Sequence, residues 1–423
     1  DMKHTKIYQT SGSLEEWKIH VASLCENNHR LAFVLYLAFG GPLLELLGMD
    51  SFGVHLRSQS STGKTTALIL AASVYGGKSY VQNWRATDNA LEAIAAMHNH
   101  TLLVLDELSQ QDPKIAGDTA YMLGNNQGKS RCRQDASLKS RSIWKLIFLS
   151  SGEVSLETHM QEVGKKSKAG QQIRLIDMPS DSDKGTGIFD DLVGFRDGAA
   201  FSDELKSRCA SFHGTAGIAF IEQISLLELE DIKARFSVVY KLFLDDLPVD
   251  SHGQLKRVAK NFALAAFAGE LAIEFNIVPY RKNAAIISVL ICMEYWLKNR
   301  DAGESSHDNN SAIEHCRHFF EQNRHRFLSF ENSHERVFNY HKPLGYVNVS
   351  GEYFMYTGSF KNELAKGIAE PKDLANILVE NGLLYLCPKQ GTPYKTQHIP
   401  SEGRASKVYH FSSEILGVQV NVM

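Results

Sequence analysis

Hydrophobic and polar residues alternate in two different patterns along the chain. Between about residues 52 and 180, short apolar runs alternate with helical patterns, and four runs read as buried strands: FGVHLRS, HTLLVLDE, WKLIFLSS and QQIRLIDMP, with YVQNW as a fifth candidate. Buried strands separated by helices are typical of an α/β sheet with parallel strands. Beyond about residue 200 the strand-like runs stop, and helical patterns such as KRVAKNFALAAFAGEL continue to Leu297.

The first fifty residues read as helical. Ser13 followed by Glu16 is typical of a capping box and predicts a helix to about Asn27. The apolar stretch from Leu31 to Gly48 is interrupted by two glycines, a proline and a glutamate. It is barely long enough to cross a bilayer. We therefore predict a buried helix, a turn and a second short helix here, and no membrane span.

The last hundred residues read as a separate small domain. The polar stretch RDAGESSHDNNS, 300–311, predicts a linker. After it come a predicted helix over 312–326, two shorter helices over 359–367 and 371–381, and the strand-like pieces GLLYLC, KTQHI and KVYHF. This order predicts a winged helix. The predicted domains are an N-terminal helical segment (1–50), an α/β core (51–200), a helical lid (201–300) and a winged-helix-like domain (311–423).

Composition limits the class of protein. A length of 423 residues predicts two or three domains, and 43% hydrophobic residues supply a packed core. A net charge of −3 does not favour nucleic acid, so such a partner requires a local basic patch. Six scattered cysteines without a CxxC pair fit a reducing cytoplasm. Because the chain begins with Asp1, we expect it to be part of a longer protein.

The segment SQSSTGKT, 58–65, predicts a phosphate-binding loop between a strand and a helix. Such a loop wraps backbone N–H groups around phosphates, while a lysine reaches the phosphates and a hydroxyl helps to hold Mg²⁺. The predicted ATP-binding residues are Ser61, Thr62, Gly63, Lys64, Thr65 and Thr66, with Thr65 also on the metal. Ser58 stands where the loop usually opens with glycine, and we expect it to strain the loop without abolishing it.

Two later strands complete the predicted nucleotide site. LLVLDE ends in an acidic pair, which predicts Asp106 as a magnesium ligand and Glu107 as the residue that orients the attacking water. WKLIFLSSGE ends in Ser150 and Ser151, whose hydroxyls could sense the γ-phosphate. The alternatives are an ordinary core strand with a charged end and a simple polar strand cap.

The densest basic stretch is NNQGKSRCRQDASLKSRSIWK, 125–145. Alternation in K-x-R-x-R would place all three charges on one face of a strand, and Q-D-A-S could turn the strand back as a hairpin. The predicted DNA-binding residues are Lys129, Arg131, Arg133, Lys139 and Arg141. Such a hairpin suits a phosphate backbone rather than a base sequence. The alternative is a solvated surface hairpin.

The order T-G-K-T, L-V-L-D-E, I-F-L-S-S and Q-I-R-L-I-D resembles that of the AAA+ ATPases. The texts ATDNALEAIAAMHNHTLLVLDEL and SSGEVSLETHMQEVGKKSKAGQQIRLIDMP are more specifically similar to an AAA+ family of formerly unknown function, carried by bacterial phages, plasmids and integrated elements. That family is related to minichromosome-maintenance and superfamily-3 replicative helicases. The resemblance covers roughly residues 10–300. It implies a P-loop ATPase core and a ring, expected to be a hexamer, that hydrolyses ATP and moves along DNA.

The resemblance also implies roles for two arginines. Arg174 matches the arginine finger, which must reach the γ-phosphate of a neighbouring subunit. The alternative is a structural salt bridge, for example to Asp177. Arg257 matches the sensor-2 position of the lid; Lys256 and Lys260 are close enough to be confused with it, and a solvated basic helix start explains it equally well. In the related helicases, the basic hairpin points into the central channel.

The leading hypothesis is a ring-forming, ATP- and Mg²⁺-dependent DNA helicase motor of a mobile element, acting on single-stranded or forked DNA. A primase is one expected partner from the family resemblance. A second hypothesis is a replication initiator or scaffold that uses ATP as a switch without unwinding. A third is a translocase on duplex DNA. For the winged helix, DNA contact and regulation of the ring both remain open.

Overall fold

The computed structural model forms two compact units, residues 1–298 and 299–423. It describes residues 7–129, 131–132, 138–139, 141–165, 169–182, 184–248, 251, 253–301, 303–330, 343–366, 370–387, 392–399 and 404–416. Each unit has its own hydrophobic core.

The N-terminal helices are α1 (Leu14–His20), α2 (His29–Gly40) and α3 (Leu43–Leu46). The predicted capping box is confirmed, because the Ser13 hydroxyl accepts from the Glu16 N–H and the Glu16 carboxylate accepts from the Ser13 N–H. Every residue of α2 after its first is buried, so the apolar stretch is a core helix as predicted. No helix in the described part of the chain is long and apolar enough to cross a membrane.

The described residues of the first unit form the strands β1 (Phe52–Arg57), β2 (Gln82–Asn83), β3 (Leu102–Asp106), β4 (Arg131–Cys132), β5 (Leu138–Lys139), β6 (Ile147–Gly152) and β7 (Leu175–Pro179). Five of them form one parallel sheet in the order β2-β3-β6-β1-β7, which confirms the predicted parallel α/β sheet. Strand β6 therefore lies between the strand that leads to the phosphate loop and the strand that ends in the acidic pair.

The helices of this unit that follow β1 are α4 (Lys64–Ala72), α5 (Asp88–Met97), α6 (Pro113–Gly124), α7 (Leu156–Gln161), α8 (Ala169–Arg174), α9 (Gly198–Ser211), α10 (Thr215–Ile224), α11 (Leu229–Asp245), α12 (Gly253–Glu274) and α13 (Ala284–Asp301). The two faces of the sheet pack into different clusters. On β6, Ile147 and Leu149 join the cluster around α2 and α4, while Phe148 joins the cluster around Trp84 and Trp144. This period-two alternation is that of a strand buried on both faces.

Helix α8 corrects one predicted strand. The sequence predicts QQIRLIDMP to be extended throughout, but α8 continues to Arg174 and β7 begins at Leu175. Short apolar runs do not by themselves distinguish a strand from a helix end.

The second unit contains α14 (Gly303–Asn323), β8 (Phe327–Ser329), β9 (Gly345–Val347), β10 (Tyr353–Tyr356), α15 (Thr357–Ser359), α16 (Pro371–Glu380), β11 (Tyr394–Ile399) and β12 (Arg404–Phe411). A π-helical segment, Phe360–Leu364, follows α15. The sheet order is β11-β12-β10-β9-β8, with β8 and β9 parallel and the other neighbours antiparallel.

Two predictions for this region are wrong. The stretch 300–311 is not a linker, because its described residues belong to α13 and α14. Further along α14, Ile313, Cys316 and Phe320 are buried, and such packing outweighs the poor helix propensity of the polar residues before them. GLLYLC is not a strand either: Leu384 makes only an isolated bridge to Phe411.

Candidate functional site

The predicted phosphate loop, 58–63, joins the end of β1 to the start of α4. Two of its residues have left-handed backbone conformations, Ser61 with φ of 62° and Gly63 with φ of 95°. A Cβ atom at Gly63 would approach the Ile188 Cγ2 atom to 2.7 Å, so both the backbone and the space available require glycine there. The loop is therefore shaped by its own backbone and by the segment that follows β7.

The Lys64 ammonium folds back into the loop. It donates to the carbonyl oxygens of Ser58 and Gln59, each at 2.6 Å. Burial lowers the pKa of Lys64, and the nearby Glu153, Glu107 and Asp106 carboxylates oppose that shift, Glu153 most strongly. Lys64 and the acidic residues thus face one another across the carboxyl edge of the sheet. Glu153, which follows β6, is an acidic neighbour that sequence reasoning did not identify.

The acidic pair is held by Ser151 at the end of β6. The Ser151 hydroxyl donates to Asp106 Oδ1 at 2.5 Å and accepts from the Glu107 N–H at 3.0 Å. Glu107 has a φ of 60°, a left-handed conformation that is uncommon for a residue other than glycine. Ser109 donates to Glu107 Oε1 at 2.6 Å. The turn after β3 therefore fixes both carboxylates with side-chain hydroxyls.

Ser150 faces the opposite side of the sheet from Ser151. The Trp84 indole N–H donates to the Ser150 hydroxyl at 2.9 Å, and that hydroxyl lies 2.9 Å from Nδ1 of His55. Nε2 of His55 is 3.0 Å from the Val154 carbonyl, to which it must donate. Nδ1 is therefore the acceptor, and the bonds run from Trp84 through Ser150 and His55 to the backbone after β6. The histidine within the apolar run FGVHLRS was the signal that sequence reasoning missed.

Three other predicted nucleotide residues lie on two helices, Thr65 and Thr66 on α4 and Arg257 on α12. Thr65 is exposed in the first turn of α4. The buried Thr66 hydroxyl lies 2.5 Å from the Ser202 hydroxyl of α9. Arg257 is exposed near the start of α12, and within the described part of the chain it makes no hydrogen bond or ion pair. The structure thus brings Thr65 to the phosphate loop through α4 but gives Arg257 no contact with it.

Arg174 is the last residue of α8 and is engaged within its own chain. Its Nε donates to Asn125 Oδ1 at 2.8 Å, and one terminal nitrogen donates to the Gly170 carbonyl at 2.9 Å. The guanidinium also stacks 4.4 Å from the centre of the Tyr121 ring. None of these partners is a carboxylate.

The suggested salt bridge from Arg174 to Asp177 is wrong, because Asp177 pairs with Arg57, whose Nε lies 2.9 Å from Oδ2. Strand β7 runs parallel to β1, with Leu175 opposite Gly53. Arg174 therefore lies at the amino edge of the sheet, and the phosphate loop of the same chain lies at the carboxyl edge. At about 3.3 Å per residue, five strand residues separate the two edges by about 16 Å.

The basic stretch contains the predicted hairpin. Arg131 pairs with Lys139 in β4 and β5, and an isolated bridge joins Gln127 to Ile143. Both pairs have the same register, so they belong to one antiparallel ladder that runs from Gln127 and Ile143 at the base of the hairpin to Arg131 and Lys139. Near the base, Lys129 forms an ion pair with Asp88. Arg133 and the predicted turn at 134–137 lie outside the described residues.

Register also places Lys129 opposite Arg141. The hydrogen bond from the Gly128 N–H to the Ser142 carbonyl, 2.9 Å, follows the same pairing. The described pairing thus sets one basic position, Arg131, opposite another, Lys139, and the same register aligns Lys129 with Arg141.

We expect His55 to make the stability of the fold depend on pH. Burial lowers the pKa of His55 below its ordinary 6.5, so the unfolded chain binds a proton more readily than the native one. The free energy of unfolding should therefore fall as the pH drops below about 6.5, by up to about 1.4 kcal/mol per pH unit from this group. Urea unfolding between about pH 7.5 and about pH 5.5 measures the slope.

In His55→Gln, the free energy of unfolding should change less with pH, by up to about 1.4 kcal/mol per pH unit, which corresponds to one bound proton. His29 and His410, whose pKa values burial also lowers, remain in both proteins and act as the internal control. Equal slopes in the two proteins would show that His55 is not held neutral by the fold.

Comparison with known proteins gives a match to a family model and a likeness to solved structures. The model, described as a domain of unknown function (DUF927), matches residues 1–142. One of these structures, titled "SCCmec type IV Cch - active helicase", is 18% identical to this chain and has a TM-score of 0.51. The match covers 97% of this chain and 73% of that one. No curated protein matches. The chain thus shares the fold of that helicase.

Proposed function

We propose that this protein is an ATP-driven DNA helicase motor of AAA+ type that works as a ring, expected to be a hexamer. The observation that carries the proposal is that Lys64 lies near Asp106 and Glu107 at the carboxyl edge of the parallel sheet. A phosphate-binding lysine and an acidic pair are the two halves of a nucleotide triphosphatase site. The shared fold with a helicase supports the same assignment.

The residues present fit Mg·ATP. The left-handed Gly63 leaves room that a Cβ atom would fill, and Lys64 can exchange its two carbonyl partners for phosphate oxygens. Thr65 and Asp106 would hold Mg²⁺, which usually takes one or two protein oxygens together with phosphates. The ion would neutralise charge on the phosphates.

Glu107 is the proposed base that orients the attacking water. Its left-handed backbone stores strain of the kind that clusters at functional sites. The Ser151 hydroxyl accepts from the Glu107 N–H and donates to Asp106, which ties the Asp106 carboxylate to the backbone of Glu107. Ser109 holds the Glu107 carboxylate in place by a hydrogen bond. These contacts orient the base before substrate arrives.

We expect Lys64→Ala and Glu107→Gln to remain folded and to lose at least about 100-fold of DNA-stimulated ATP turnover, because each removes a group that acts on the phosphate or the water. Steady-state phosphate release measures this. Lys78→Ala and Glu222→Gln, which change exposed residues outside the site, are the matched controls. Wild-type turnover in either site variant would refute the assignment.

Strand displacement from a forked DNA substrate separates the motor from the alternatives. The motor should displace the strand only with ATP and intact Lys64. An ATP-switched initiator would bind the fork and never displace it. A duplex translocase would prefer blunt duplex to forked or single-stranded DNA.

Arg174 is the proposed arginine finger for the ATP of the neighbouring subunit. It lies at the edge of the sheet opposite to its own phosphate loop, so a role in catalysis requires a loop from another copy. Within its own chain its partners are neutral oxygens and a ring, which leaves the charge of the guanidinium without an anion in the described residues.

Subunit mixing tests this placement. Lys64→Ala and Arg174→Ala should each be inactive, but an equal mixture should recover about a quarter of wild-type turnover. In a mixed ring with heterologous interfaces, about a quarter of the interfaces combine an intact Lys64 from one subunit with an intact Arg174 from its neighbour. Lys64→Ala mixed with Glu107→Gln is the control. Lys64 and Glu107 both act on the nucleotide that their own subunit holds. Every site in this mixture therefore lacks one of the two groups, and no recovery is expected. Absence of recovery in a co-assembled first mixture would remove Arg174 from the neighbour's site.

The hairpin formed around β4 and β5 is the proposed DNA contact. Its backbone pairing sets Arg131 opposite Lys139, so basic positions lie on both strands of the hairpin, where they could meet a phosphate backbone. In a ring, repeated hairpins would give a positive channel that follows a phosphate backbone without reading sequence. The winged-helix assignment of the last domain and a primase partner also belong to the proposal.

We expect the double variant Arg131→Ala with Arg133→Ala to bind single-stranded DNA more weakly and to reduce the slope of log affinity against log salt by roughly 1.4, or about 0.7 per lost phosphate contact. Fluorescence anisotropy over a salt series measures both, while ATP affinity should not change. Lys233→Ala with Lys241→Ala removes two exposed lysines from α11 and serves as the charge-matched control. An unchanged salt slope in the hairpin variant would exclude the hairpin as the DNA contact.

A further inference from the structure

The serine at the start of the phosphate loop is bonded to a residue far along the chain. The Ser180 hydroxyl, directly after β7, donates to the Ser58 hydroxyl at 2.7 Å. The Ser58 hydroxyl lies 2.5 Å from the Thr62 hydroxyl, and Thr62 donates to the Gln59 carbonyl at 3.0 Å. The sequence predicts that this serine strains the loop; in the structure its hydroxyl instead contacts two other hydroxyls, those of Ser180 and Thr62.

The direction of the bonds follows from the two ends. Thr62 donates its hydroxyl proton to a carbonyl, so it can only accept from Ser58. Ser58 in turn accepts from Ser180, for which the Arg57 carbonyl at 3.3 Å is the more distant alternative acceptor. The protons therefore all point the same way, from Ser180 through Ser58 and Thr62 to Gln59.

Burial protects the first two hydroxyls of this chain, those of Ser180 and Ser58, from water. Ser58 is 5% exposed and Ser180 is fully buried. The backbone reinforces the contact, since the Ser180 N–H donates to the Arg57 carbonyl at 2.8 Å and the Ser58 N–H donates to the Gly152 carbonyl at 3.3 Å. The first residue of the loop is thus anchored to the ends of both strands that flank β1.

We propose that Ser58 and Ser180 are positioning residues that latch the phosphate loop in the shape that receives nucleotide. The carbonyls that hold the Lys64 ammonium belong to Ser58 and Gln59. Ser58 is the first residue of the loop, and the Gln59 carbonyl is the last acceptor of the hydroxyl chain. The latch keeps these carbonyls in place when the lysine leaves them for a phosphate. This inference rests on the proposed binding of ATP. In this loop, a serine whose hydroxyl is held by hydrogen bonds stands in place of the usual flexible glycine.

A double-mutant cycle on nucleotide affinity tests the latch. We expect Ser58→Ala and Ser180→Ala each to weaken the binding of Mg²⁺ with a nonhydrolysable ATP analogue about three- to tenfold, as the loss of a buried hydrogen bond implies. The double variant should be no weaker than either single variant, because both remove the same chain of bonds. The KM for ATP should rise with kcat retained, since Asp106 and Glu107 are untouched.

Three further variants sharpen the test. Ser51→Ala removes a buried hydroxyl that accepts from the Leu146 N–H at the other end of β1, and it should leave nucleotide affinity unchanged. Ser58→Thr keeps the hydroxyl and should retain affinity. Ser58→Gly, which restores the usual glycine, should bind more weakly than wild type.

The possible outcomes distinguish a failure of the latch from a failure of the proposed ATP binding. Unchanged affinity in both single alanine variants, additive losses in the double variant, or tighter binding by Ser58→Gly would each overturn the latch while leaving ATP binding intact. A wild-type protein that binds no nucleotide would overturn the proposed function and the latch with it. Thermal unfolding of the same samples confirms that each variant is folded when its affinity is measured.

Discussion

The parallel pairing of β6 with β1 on one side and β3 on the other decides where every group of the candidate site lies. Leu56 is opposite Ser151, and Leu105 is opposite Ser150, so the ends of three strands stand level at one edge. Because side chains alternate along a strand, the two serines serve opposite faces. Ser151 orders the acidic pair, while Ser150 is bonded into the buried network with Trp84 and His55. A one-residue slip of β6 would exchange these roles.

Strand β7 connects two features that lie apart in space. Arg174 precedes its first residue at the amino edge, and Ser180 follows its last residue at the carboxyl edge, where it contacts the phosphate loop. In the proposed ring, a short strand paired with β1 therefore lies between the arginine offered to a neighbour and the loop that holds the chain's own nucleotide. A strand paired along its length with β1 is rigid and suits that position better than a flexible loop.

Local patterns predicted the parallel sheet and the strand ends on which the candidate site is built, because their signals lie within a few residues. Examples are the apolar runs that became β1, β3 and β6, and the Asp106–Glu107 pair at the end of one of them. Contacts across long separations were not predictable. Ser58 and Ser180 are 122 positions apart, and His55 and Ser150 are 95 apart. From sequence alone, Ser58 was a departure from a motif, and only its distant partner shows that its hydroxyl is used.

The contacts of Arg174 also bear on how a nucleotide could act on the DNA hairpin. Its partner Asn125 ends α6, and the next residue, Asn126, begins the base of the hairpin. Asn126 is itself tied to the start of β1, since its side chain accepts from the Ser51 N–H at 2.8 Å and donates to Asp50 at 2.8 Å. In the proposed motor, an arginine that turns toward a neighbour's phosphate must leave Asn125, which removes one of the bonds that fix the hairpin base. The hairpin base would then keep its bonds through Asn126 and through Lys129, which contacts Asp88 and Glu92. Arg174 and the hairpin therefore share a short physical connection, and the nucleotide would act on DNA through it by making and breaking a single hydrogen bond.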